Sequence, residues 1–79
     1  MSDVLTSLQW QVLGYLRDNV HAAETAAGVN NIWLRRPATV QAIAEVEQAL
    51  IDLVRRGWME QHALPGGTAL YRKNRARQS

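Results

Sequence analysis

Apolar residues recur with helical spacing in two long stretches of the chain. The first stretch has an apolar residue at every third or fourth position, formed by Leu5, Leu8, Val12, Leu16 and Val20. This spacing predicts a helix with one buried face. Thr6 and Gln9 have the spacing of a capping box at its start, and Asn19 is expected to end it. Gly14 lies in mid-helix, where a close helix crossing is expected.

The second stretch gives the clearest helix of the chain. Its apolar stripe consists of Val40, Ile43, Val46, Leu50, Leu53 and Val54. Thr39 is placed to cap the N-terminus, and Gly57 is placed to end the helix in a left-handed conformation. Arg55 and Arg56 lie in the last turn, where positive charge is favoured by the helix dipole. A break near Ala44 would instead give two short helices.

The region between these helices has a weaker pattern. HAAETAAGVNN predicts a short second helix that ends at Gly28. Residues 32–34 predict a brief extended piece that packs on the core. Pro37 disfavours helical geometry at Arg36. A third helix therefore follows a link that is longer than a tight turn.

The segment after Gly57 has the pattern of a hairpin. Residues 58–63 predict a strand, Pro65-Gly66-Gly67 predicts a turn, and residues 68–73 predict the returning strand. The expected fold class is α+β, with three helices followed by a C-terminal β-hairpin. Residues 1–73 would form this domain, and residues 74–79 would form a basic tail.

Three segments carry a pattern found in known proteins. LTSLQWQVLGYL, VEQALIDLVRRGWMEQ and TALYRK resemble the first helix, the recognition helix with the first wing strand, and the returning strand of the winged helix-turn-helix DNA-binding superfamily. Val46, Leu50, Leu53, Gly57 and Trp58 fit its apolar and glycine positions, and Tyr71 fits an aromatic one. The resemblance covers most of the chain at the level of fold. It implies a DNA-binding protein, most simply a small transcriptional regulator, whose third helix enters the major groove.

Charge is distributed unevenly along the 79 residues. The net charge is +2, with 9 Lys and Arg against 7 Asp and Glu. Arg35 and Arg36 supply two positive charges and residues 72–79 supply four, so the rest of the chain is acidic. Contact with a polyanion would have to use these two places.

These observations select the candidate nucleic-acid-binding residues. The phosphate-binding candidates are Arg35, Arg36, Arg72, Lys73, Arg75 and Arg77, and the base-reading candidates on the third helix are Gln41 and Gln48. Glu45 and Asp52 are expected on the same helix face, where they would repel phosphates. The predicted wing tip carries no charge.

Tryptophan offers a second kind of site. Trp10 and Trp58 are expected to fill the core of so small a domain. Trp33 is the candidate partner-binding residue, because Arg35 and Arg36 lie beside it. The acidic helix face and the neutral wing tip favour an alternative function, in which the scaffold binds a protein partner or inhibits a nucleoprotein complex without reading DNA. RNA binding through the same cations and an exposed Trp33 is a third option.

Other classes of function have little support in the chain. There is no cysteine, and His21 and His62 have no recognised ligand spacing, so no metal site or cofactor is predicted. No nucleophile is placed with a base, so no catalytic residue and no enzyme activity are predicted. No segment is apolar enough for a membrane span, and a cytoplasmic location is expected. A homodimer would need the first helix or an exposed apolar patch.

Overall fold

Helix α1 spans Ser7–Asp18 in the computed structural model, which describes residues 4–75. Its capping box forms as predicted: the Gln9 N–H donates to Thr6 Oγ1 at 3.1 Å, and the Thr6 N–H donates to Gln9 Oε1 at 2.9 Å. Asn19 is the C-terminal cap. The expected helix crossing at Gly14 is absent, because no heavy atom of the described residues outside the helix lies within 4 Å of the place that a Cβ would take.

The second helix is longer than the sequence indicated. Strand β1 (Ala23–Glu24) precedes it, and Thr25 caps the α-helical turn α2 (Ala26–Gly28). The chain then continues without interruption into a π-helix over Val29–Trp33. The predicted end at Gly28 is wrong because this glycine has a right-handed helical conformation, with φ of −65°. The predicted extended piece is wrong for the same reason, since residues 32 and 33 are helical.

Helix α3 (Val40–Arg55) is one continuous helix, so the alternative of two short helices is excluded. The Thr39 side chain accepts the Ala42 N–H at 3.0 Å, as its capping role requires. At the other end Gly57 has a φ of 83°. Its N–H donates to the Val54 carbonyl, and the Trp58 N–H donates to the Leu53 carbonyl. This pair of bonds is a Schellman motif, which satisfies carbonyls that the end of the helix leaves free.

The sheet has three antiparallel strands in the order β1-β3-β2. Strands β2 (Met59–Ala63) and β3 (Ala69–Lys73) form the predicted hairpin. Gly66 and Gly67 both have positive φ in its turn, which glycine adopts without a steric cost. The strand that the sequence pattern missed is β1, which pairs with the far edge of β3.

The core lies between the three helices and one face of the sheet. Its buried side chains come from α1 and the residue Leu5 before it, from the π-helix, from α3, and from β2 and β3: Leu5, Val12, Leu16, Val29, Trp33, Val46, Leu50, Leu53, Met59 and Tyr71. The predicted stripe of α3 supplies the centre, except that Val40 is 89% exposed at the first turn. A buried polar contact joins α1 to α3, in which Gln9 Nε2 donates to the Ala49 carbonyl and to Asp52 Oδ2.

The fold class is therefore α+β, as predicted. Three helices and an antiparallel sheet follow the order α1-β1-α2-α3-β2-β3, which is consistent with a small winged-helix layout. Helix α3 contacts β2 of the hairpin and keeps its outer face exposed. None of the helices in residues 4–75 has the length and apolar character needed to cross a bilayer.

Candidate nucleic-acid interface

The outer face of α3 carries amides and carboxylates. Gln41, Glu45 and Gln48 are exposed, and Asp52 is half-buried. Each of the two carboxylates has an arginine partner. Arg36 Nη2 lies 2.7 Å from Glu45 Oε1, and Arg56 Nε lies 2.9 Å from Asp52 Oδ2. The acidic character of this face is thereby largely offset, so it opposes a phosphate backbone less than the sequence indicates.

The pairing of Arg36 changes its role. Its Nη2 donates to Glu45, and its Nη1 is buried. The guanidinium therefore lies against the protein, with only about a quarter of the side chain exposed. Phosphate binding by Arg36 would require it to leave Glu45. Its principal contact is the one that neutralises α3.

Arg35 is presented differently from its neighbour. Its side chain is exposed and makes no ion pair within residues 4–75. Its φ of 53° lies in the left-handed region, which is uncommon for an arginine. The backbone turns at this residue, and the two adjacent arginines therefore point in different directions, one to solvent and one to Glu45.

Asn30 holds this turn in place. It is fully buried in the π-helix, and its Nδ2 donates to the carbonyls of Pro37 at 3.1 Å and Arg36 at 3.5 Å. In return the Arg36 N–H donates to the Asn30 carbonyl at 2.9 Å. Sequence reasoning missed Asn30, because a single asparagine in a weak helical pattern gives no signal of contacts six or seven residues away.

The hairpin also pairs part of its charge internally. Glu60 of β2 faces Arg72 of β3, and Arg72 Nε lies 3.1 Å from Glu60 Oε1. His62 Nε2 lies 3.3 Å from the same oxygen, and the Arg75 N–H donates to Glu60 Oε2. Hydrogen bonds from His62 and Arg72 lower the pKa of Glu60 below its ordinary value. The ion pair of Arg72 therefore lies within the hairpin. Lys73 and the Arg75 side chain have no ion-pair partner in the described part of the chain.

The free cations are consequently a smaller set than the sequence indicated. In residues 4–75 the positive side chains outside any ion pair are Arg35, Arg55, Lys73 and Arg75. Arg55 is exposed in the last turn of α3. The sequence pattern relates it only to the helix dipole, but its exposed position at the end of α3 makes it a phosphate candidate. Arg77 lies outside the described residues.

The exposure of two tryptophans differs from what the sequence predicts. Trp33 is only 8% exposed and stacks on Tyr15, with ring centroids 4.8 Å apart. A partner-binding role for Trp33 stays a prediction, and so buried a ring leaves a partner little surface to contact. Trp10, expected inside, is 59% exposed on α1. Trp58 is half-buried and packs against the core, as expected.

Two further observations bear on the site. Within residues 4–75 no three histidine, aspartate or glutamate side chains come together in a way that could hold a metal ion. Asn74 belongs to the fold, since its N–H donates to the Trp58 carbonyl and its Nδ2 donates to the Gly57 carbonyl.

Comparison with protein-family models, curated proteins and solved structures finds no match to this chain.

Proposed function

We propose that this protein binds double-stranded DNA and acts as a small cytoplasmic transcriptional regulator of the winged helix-turn-helix type. The observation that carries the proposal is how the charges on and beside α3 are paired. The outer face of this helix is exposed, its carboxylates Glu45 and Asp52 are paired with arginines, and two free arginines lie near the ends of the helix, Arg35 and Arg55. Such a surface can approach a phosphate backbone.

The amides of α3 supply the means of reading bases. Gln41 and Gln48 are both exposed and lie two helical turns apart, so both project from the same side of the helix. A glutamine amide can donate to and accept from adenine in the major groove. Phosphate contacts by Arg35, Arg55, Lys73 and Arg75 would orient the helix without reading sequence.

Salt dependence of DNA binding tests the proposal. Each phosphate contact lowers the slope of log affinity against log salt by about 0.9, so four contacts give a slope of about −4. The measurement is fluorescence anisotropy of a labelled random duplex over a range of salt concentrations. Arg35→Gln is expected to make the slope less steep by about 1.

Arg17→Gln is the matched control for this experiment. Arg17 is also exposed, but it lies on α1 and pairs with Asp18. Its substitution removes the same charge and should leave the slope unchanged. Absence of binding at low salt would exclude DNA as the ligand, and equal losses in both variants would show attraction without a defined site.

A protein-binding role without DNA is the alternative, either as an interaction module or as an inhibitor of a nucleoprotein complex. The observation that favours it is the outer face of α1, where Trp10 is exposed one turn from the open surface at Gly14. Exposed tryptophan is common at protein interfaces. The same face would serve a homodimer. Failure of DNA binding, together with loss of partner or self-association in Trp10→Ala, would support this function instead.

A further inference from the structure

A cavity of about 420 Å³ opens between α3 and the inner face of the hairpin. Its walls come from the start of α2, from one side of α3, and from β2, the turn and β3. The volume lies within the range of about 300 to 1,000 Å³ that is usual for small-molecule sites. None of the nucleic-acid-binding candidates lines it, so the proposed DNA contacts leave it unused.

One charged side chain lines this cavity, that of Glu47 on α3. The remaining lining residues are neutral, and Glu47 forms no ion pair within residues 4–75. Its neighbours along the helix differ, since Glu45 pairs with Arg36 and Asp52 pairs with Arg56. Glu47 is exposed where it lines the cavity, and its negative charge has no ion-pair partner within residues 4–75, whereas Glu45 and Asp52 are paired with arginines.

We propose that this cavity binds an organic cation, in which an ammonium or guanidinium group on an aliphatic stem forms an ion pair with Glu47. The side chains of Gln61, Thr25 and Thr68 supply further hydrogen-bond acceptors, and Ile51 with the alanines of α2 supplies an apolar wall for the stem. A guanidinium suits such a set because it has five N–H donors and no acceptor.

Tyr71 and Glu47 line the same cavity. Tyr71 is almost fully buried. Burial raises the pKa of its hydroxyl, and the negative charge of Glu47 raises it further. A cation bound beside Glu47 would reduce the second effect. The tyrosine therefore provides an optical signal of occupancy.

The test uses n-butylguanidinium as the probe, with n-butylurea as a neutral molecule of similar shape. Binding is followed by proton–nitrogen correlation NMR of the full chain. Saturable shifts are expected at backbone amides of Ala26, Ala27 and Gly67 with the cation and not with the urea. Glu47→Gln should weaken binding by about tenfold or more, as expected for loss of a charge-assisted contact.

Glu45→Gln is the matched control, because it removes the same charge from the same helix outside the cavity. It should leave the affinity within a factor of about two of the native value, because Glu45 does not line the cavity and its charge is already paired with Arg36. Similar affinities of the native protein and Glu47→Gln for the probe, or equal binding of the urea, would overturn the proposal. No DNA enters the measurement, so its result is independent of DNA binding.

A second probe identifies the source of the cation. A capped Gly-Arg-Gly peptide carries the same guanidinium on a protein backbone. If the peptide competes with n-butylguanidinium, the cavity accepts an arginine side chain of a protein partner. If the peptide is excluded while n-butylguanidinium binds, the natural ligand is a small free amine or guanidine. Both results support a cation site, whereas failure of both probes would overturn it.

Discussion

Surroundings decide the role of single residues that look alike in the sequence. Trp10 and Trp33 both lie on helices, yet one is exposed and the other stacks in the core. Arg35 and Arg36 are adjacent, yet only Arg36 has a carboxylate partner in the described residues. Residue type alone could not separate the members of either pair, because the separating contacts come from other elements.

Gly14 is expected to be replaceable with a gain in stability. It lies in the middle of α1, and space is open at the position of a Cβ. Gly14→Ala should raise the free energy of unfolding by about 1 kcal/mol, because glycine loses more conformational freedom in a helix. Urea denaturation measures this change. Gly66→Ala is the contrasting variant and should lower stability, because the φ of Gly66 is 94°. A loss of stability in Gly14→Ala would indicate that this surface is covered in solution.

The Tyr71 hydroxyl should respond to Glu47 without any ligand. Burial raises the pKa of Tyr71 most, and the negative charge of Glu47 raises it further, because the phenolate is repelled by a carboxylate. Glu47→Gln should therefore lower the Tyr71 pKa, while burial keeps it above the ordinary value. Absorbance titration of the phenolate in a Tyr15→Phe background measures the shift. An unchanged pKa would show that Glu47 lies too far from the hydroxyl.

At the scale of elements, local sequence determines where helices begin and end. Thr6 and Thr39 cap α1 and α3, and Gly57 terminates α3 in a Schellman motif, all within a few residues of the atoms they bond. These signals are short in range, so the sequence predicts them well. The π-helix over Val29–Trp33 has no comparable signal, and its Asn30 bonds to the carbonyls of Arg36 and Pro37 beyond the helix.

The hairpin should lose stability in acid through Glu60. Its pKa is lowered in the folded protein by His62 and Arg72. A carboxyl whose pKa is depressed by folding stabilises the fold above its unfolded pKa, and this contribution is lost as the pH falls through the folded pKa. Glu60→Gln should therefore flatten the fall of the melting temperature below a pH of about 4, near the reference pKa of glutamate.

Glu45→Gln provides the comparison for this titration, since its pair with Arg36 lies outside the hairpin. It should retain the acid-dependent loss that Glu60 causes. If the melting temperature of Glu60→Gln fell as steeply in acid as that of the native protein, the assigned role of the Glu60 contacts would be contradicted. Thermal unfolding followed by circular dichroism gives the required measurement.

At the scale of the whole molecule, internal pairing controls what the surface offers. Four arginines pair with carboxylates among the described residues, which leaves free cations next to α3 and at the end of β3. The positive charge available to a polyanion is thus concentrated at the exposed helix and the hairpin end. This arrangement supports DNA binding through the folded body as well as through the tail.

Shortening the chain tests how much the tail contributes. A chain ending at Arg75 loses one charged side chain, Arg77. If the four cations of the described residues carry the DNA contacts, the salt slope should stay near about −4 and most of the affinity should persist. Anisotropy titrations of both lengths on one duplex measure the difference. Complete loss of binding would assign DNA binding to the last residues alone.

The sequence by itself determined α1, α3, the hairpin and their caps, because periodicity, capping and turn chemistry act between residues close along the chain. It also predicted Gln41 and Gln48 as exposed. Only the tertiary structure decided which cations are free, where the tryptophans lie, and that β1 completes the sheet by pairing with β3. It alone also formed the cavity beside Glu47. These features depend on contacts between elements far apart in the chain, and such contacts leave no periodic trace in the order of residues.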